Sequence, residues 1–98
     1  EQLSQFRAMP NFYTFRPADA TENIECWKKA LTMSAPTGFV CSRQKLKTLK
    51  PKKEIGSVAN GGYLLAKRDG ATVTLMASGS EVMLCLQTAC HLEDDFGI

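Results

Sequence analysis

Long apolar runs are missing from this sequence, and none approaches the roughly 18 residues that would suggest a membrane-spanning helix. No basic-then-apolar leader opens the chain, and its first residue is Glu1 rather than Met, which points to an upstream portion. A strong charge of one sign is missing too. The 12 basic and 10 acidic side chains leave a net charge of +2, too small to imply nucleic acid or an anionic membrane as partner. Histidine occurs once, as His91 beside Cys90. Adjacent helical residues point in different directions, so these two do not make a catalytic pair. The four cysteines, Cys26, Cys41, Cys85 and Cys90, contain no C-x-x-C redox pair and no two pairs at zinc-site spacing. Each stands in an apolar pattern, where a thiol behaves as a small hydrophobe. Reduced, buried thiols in a cytoplasmic protein are expected, rather than a disulfide or a metal site.

What is present is an ordinary globular composition. Over 98 residues, 44% hydrophobic and 22% charged side chains argue against disorder. "EQLSQFRAM" reads as the end of a helix with Leu3 and Phe6 on one side, broken by Pro10-Asn11. "FYTF", residues 12–15, reads as a strand. Asp19 and Glu22 then have capping-box spacing, and Ala20, Ile24, Trp27 and Leu31 form one stripe of a helix. After a break at Pro36-Thr37-Gly38, residues 38–42 make a second strand. This is a βαβ unit with a parallel pair of strands.

Residues 44–60 lack apolar periodicity and carry Lys45, Lys47, Lys50, Lys52 and Lys53, as expected of a solvated linker. No aromatic residues are interleaved to stack on bases, so a nucleic-acid patch is the weaker reading. "GGYLLAKRDG" and "ATVTLMAS" look like two antiparallel strands joined at Asp69-Gly70. A helix follows, with Ser78 and Glu81 at capping-box spacing and Gly97 as its stop. Its apolar stripe is Val82, Cys85, Leu86, Ala89, Leu92 and Phe96. Capping explains "ASGSEV" better than an anion site at the helix start. Two strands per unit cannot complete a core, since sheets average about 5–6 strands and parallel sheets need both faces covered. The fold class is therefore α/β, as two partial units, each a fragment of a larger, mostly parallel three-layer domain. The chain reads as a segment across a domain boundary.

Arg43 closes the second strand of the βαβ unit. Ligands of open α/β sheets bind beyond the carboxyl ends of parallel strands, and a guanidinium there suits a phosphate or carboxylate because it can bond two oxygens at once. A surface arginine beginning a polar linker is the plainer alternative.

"EQLSQFRAMPN", "FRPADATE", "CSRQKL", "GGYLL" and "ASGSEV" stand here in the order and near the spacings found in transketolases. The chain resembles that family from Glu1 to about Gly97, and "SRQ" closing a strand between "RPAD" and "GSEV" is the most specific part. The resemblance implies that residues 1–50 are the C-terminal part of the pyrimidine-binding domain, and that 51–98 are a linker and the start of the C-terminal domain. It implies an enzyme of the pentose phosphate pathway that moves a two-carbon ketol unit between sugar phosphates. The implied cofactors are thiamine diphosphate and a divalent metal such as Mg, and the implied assembly is a cytoplasmic homodimer. Arg43 matches the family arginine that binds the substrate phosphate. Where the family commonly reads "LSRQNLP", Cys41, Lys45 and Lys47 stand here for Leu, Asn and Pro. The family's Gly-Asp-Gly diphosphate motif, its cofactor-activating glutamate and its substrate histidines have no counterpart here, so the segment alone is expected to be inactive and to bind no cofactor. Dihydroxyacetone synthase, a dehydrogenase E1 component and a non-catalytic binding module are the alternatives. The "SRQ" stretch disfavours the dehydrogenase, whose substrates carry no sugar phosphate.

Overall fold

The computed structural model describes residues 2–49 and 57–97. Its first half is the expected βαβ unit, preceded by a short helix. Helix α1, Gln2–Ala8, stops before Pro10. Asn11 then reverses the chain at φ +57°, a left-handed conformation that Asn tolerates better than bulky residues. Strand β1, Tyr13–Phe15, pairs in parallel with β2, Thr37–Phe39, in the register Tyr13–Thr37, Thr14–Gly38 and Phe15–Phe39. The second strand begins one residue earlier and ends sooner than 38–42. One further bond, Val40 N–H to the Phe15 carbonyl at 2.8 Å, continues the pairing. It stops there because Pro17 follows Arg16 and has no N–H to offer.

Between the strands, helix α2 spans Ala20–Ala30. Asp19 caps it as expected, its Oδ1 accepting the Glu22 N–H at 2.8 Å. Glu22 reaches back in turn, but to the Ala18 N–H, at 2.5 Å. Lys28 and Lys29 lie in the last turn, where they suit the negative end of the helix dipole. Aromatic rings bind the helix to the sheet. Trp27 stacks on Phe39 with centroids 4.4 Å apart, and Phe39 meets Phe15 at 5.4 Å.

The second half departs from expectation. No strand forms among described residues 57–78, and the segment instead carries a single 3-10 turn at Val58–Asn60. The turn at Asp69-Gly70 does form, with the Ala71 N–H on the Arg68 carbonyl. An isolated two-stranded hairpin is marginal without further strands or a helix to cover it, and Val73, Leu75 and Met76 remain exposed. Helix α3, Glu81–Phe96, ends at Gly97 in the left-handed conformation, as read from the sequence.

The expected stripes are only partly covered. Cys26, not the Ile24–Trp27–Leu31 line, is the buried residue of α2, and Leu31 is 81% exposed. On α3, Phe96 is exposed. The surface of 7773 Å² exceeds the about 5,500 Å² expected for a compact protein of this mass. Its apolar faces exceed what this chain can cover.

Candidate functional site

Parallel pairing brings both strand ends to one edge of the sheet, and an arginine lies near each. Arg16 directly follows β1. Arg43 comes four residues after β2, in a bend, with an exposed side chain. Their surroundings differ. Arg16 Nη2 meets both carboxylate oxygens of Glu81, at 2.9 and 2.8 Å, and Nη1 donates to Ser78 Oγ at 3.3 Å. The bond from Arg16 holds the Glu81 carboxyl below the ordinary glutamate range. Arg43 has no acidic partner among the described residues. Lys45 and Lys47 are exposed nearby in sequence.

Ser78 and Glu81 therefore do not form the expected cap. Ser80 occupies the N-cap of α3 without a side-chain bond, while Ser78 and Glu81 serve Arg16. Sequence reasoning missed Arg16, although the rule that singled out Arg43, a cation just past a parallel strand, applies to both. Together Arg7, Arg16, Met76, Ala77, Ser78 and Glu81 line an open groove of about 560 Å³.

A second meeting point lies at the start of α2. Asp19 Oδ2 accepts the Leu49 N–H at 2.6 Å, and Glu22 Oε1 accepts the Tyr63 hydroxyl at 2.5 Å. Burial, then the bond to Glu22, raises the Tyr63 phenol well above its ordinary pKa. These groups border a cleft of about 220 Å³ with Val58 on its wall. The stretch expected to be a free linker is thus held at Leu49, and Lys50, Lys52 and Lys53 lie outside the described residues. The thiols divide: Cys26 is buried, whereas Cys41 and Cys90 are exposed, contrary to expectation, and all four are free. His91 Nδ1 lies 3.7 Å from Asp95 Oδ2 on α3.

A diphosphate-bound metal requires a set of oxygen donors, protein carboxylates among them. No group of three His, Cys, Asp or Glu that could hold a metal ion occurs among the described residues, and both acids at the α2 start already accept backbone or phenol hydrogens. No helix among the described residues is long and apolar enough to cross a membrane.

Comparison with known proteins gives this geometry its context. The family pattern described as "Transketolase, pyrimidine binding domain" matches residues 1–48. A crystal structure of transketolase from Campylobacter jejuni superposes with a TM-score of 0.92 at 56% identity, over 98% of this chain and 15% of that one. The chain belongs to the transketolase family. Among curated relatives, the transketolase of Halalkalibacterium halodurans is 42% identical over 97% of this chain and 15% of its own length. A probable transketolase of Schizosaccharomyces pombe is 37% identical over the whole of this chain and 14% of its own length. The chain thus spans about one-seventh of the transketolases it matches, and the exposed faces of α2 and α3 are consistent with an α/β fragment of that larger fold.

Proposed function

We propose that this chain is the stretch of a transketolase that joins the pyrimidine-binding domain (residues 1–50) to the C-terminal domain (from residue 51), and that Arg43 binds the phosphate of the sugar substrate. The contrast at the sheet edge carries the reading. Arg16 is neutralised by Glu81, whereas Arg43 is exposed with no described acid beside it. A guanidinium in that state keeps its full charge and its fork of donors for a ligand oxygen pair. Anchoring the remote phosphate orients the other end of the sugar, so that reacting atoms meet without a further loss of orientational freedom.

The whole enzyme transfers a two-carbon ketol unit from a ketose phosphate to an aldose phosphate. Thiamine diphosphate, with a divalent metal on its diphosphate, supplies the carbanion chemistry when bound. Those groups are held outside this segment, which alone is inactive. The working assembly is a cytoplasmic homodimer. The match of the family's pyrimidine-domain pattern to residues 1–48 supports the domain division.

Substituting Arg43→Ala in the complete enzyme tests the reading. KM for phosphorylated substrates should rise by an amount equivalent to about 1.5–3 kcal/mol, the range for a hydrogen bond to a charged group. An unphosphorylated donor such as hydroxypyruvate should be nearly unaffected. Equal losses for both would refute the phosphate role.

A further inference from the structure

The turn at residues 78–81 grips the end of β1 at three points. The Gly79 N–H donates to the Arg16 carbonyl at 3.0 Å, Ser78 accepts from Arg16 Nη1, and Glu81 binds Nη2. Gly79 itself is suited to this grip and to little else. Its φ is +60°, and a Cβ there would lie 2.9 Å from Arg16 Nε and 3.0 Å from Arg16 Cγ. The residue before Arg16, Phe15, accepts the Val40 N–H at 2.8 Å. Three residues beyond Val40 stands Arg43. A chain of hydrogen bonds therefore runs from the start of α3, through the end of β1, to Val40, three residues before Arg43.

We infer that the Ser78–Glu81 turn, acting through Arg16, is a positioning device that fixes the carboxyl edge of the sheet and so the reach of Arg43. Arg16 is a positioning residue here, since both of its terminal nitrogens are engaged within the protein. The arrangement also makes a part of the chain beyond the pyrimidine-domain match contribute to a site at the edge of that domain's sheet. Because Glu81 is half-exposed and lies at a helix start, it can be altered with little effect on packing.

The kinetic arm of the test rests on the phosphate reading of Arg43, and the exchange arm does not. In the complete, cofactor-loaded enzyme, Glu81→Ala should raise KM for sugar phosphates roughly three- to tenfold, as coupled contacts do, with hydroxypyruvate little changed. In an Arg43→Ala background the same substitution should add nothing. Hydrogen exchange of a peptide covering residues 38–43 should quicken in Glu81→Ala and return toward normal in Glu81→Gln, which keeps an acceptor. Faster exchange confined to residues 76–82 would overturn the inference, as would unchanged KM and unchanged exchange, while leaving Arg43's own role intact. If Arg43→Ala fails to separate the two substrate types but exchange at 38–43 still quickens, the phosphate reading falls and the positioning device stands.

Discussion

Replacing Gly79 by alanine separates two physical reasons for a glycine that sequence alone cannot distinguish. The first is backbone conformation. At φ +60° a side chain costs about 1–2 kcal/mol through the clash of Cβ with its own carbonyl. Gly70 bears the same cost at φ +79°, but nothing lies within 4 Å of its Cβ position. The second reason exists only at Gly79, where the new methyl would meet Arg16 Nε at 2.9 Å and Cγ at 3.0 Å. Cγ is close to the backbone of Arg16, so the side chain cannot simply swing its tip aside. The guanidinium must leave Ser78, and the Gly79 N–H to Arg16 carbonyl bond must lengthen. Losing one such bond adds about 1 kcal/mol. Gly79→Ala should therefore destabilise its turn by about 2–3 kcal/mol against 1–2 for Gly70→Ala. Hydrogen exchange in the complete enzyme measures this locally. Each 1.4 kcal/mol is tenfold in opening, so the amide of residue 79 should quicken roughly fivefold more than that of residue 71 does in Gly70→Ala. Equal acceleration at the two turns would refute the contact argument and leave backbone conformation as the whole cost.

Two other outcomes follow from buried groups. Asp19→Ala removes both the cap on the Glu22 N–H and the hold on the Leu49 N–H. A cap is worth about 1 kcal/mol and a bond to a charged acceptor about 1.5–3 kcal/mol, so faster exchange should appear both at the start of α2 and at residues 47–49. Exchange altered at the helix alone would refute the second role. Cys26 offers a pH test. Burial first, then the nearby charges of Glu22, Cys41 and Glu25, push its thiol up to about 11 from an ordinary 9.0. The raised value means the folded state favours the neutral thiol. Its contribution to stability is fully present below pH 9 and is lost as pH rises toward 11. Iodoacetamide at pH 8 should label Cys41 and Cys90 and spare Cys26, with Cys26 labelling only near pH 11 or on unfolding. Equal labelling of all three at pH 8 would refute that burial.

Much of the first half was legible because its signals are local. Capping by Asp19 depends on residues three apart, the break at Pro10-Asn11 on two residues, and the parallel pair on the length of the helical connection between two strand-like runs. The stop of α3 at Gly97 was legible for the same reason. Arg43 was singled out by its position after the second strand together with the resemblance of "CSRQKL" to a family stretch, and its phosphate role is the proposal made above. The strands expected within residues 61–78 failed because β structure is non-local. "ATVTLMAS" has the pattern of a strand, but its ladder needs a neighbour that this chain does not bring to it.

The sequence by itself determined the Asp19 cap of α2, the Gly97 stop of α3, the βαβ unit and the family, and it singled out Arg43 for the phosphate role proposed here. Only the tertiary structure decided what Ser78 and Glu81 do. Their spacing satisfies a capping box, but an arginine 62 residues away from Ser78 takes its hydroxyl, and the same guanidinium takes the Glu81 carboxylate. It likewise tied Leu49 to Asp19 and Tyr63 to Glu22 across the stretch that composition marks as a free linker. A side-chain oxygen accepts from whichever donor the fold brings within about 3 Å, and sequence spacing records only the donors nearby in the chain.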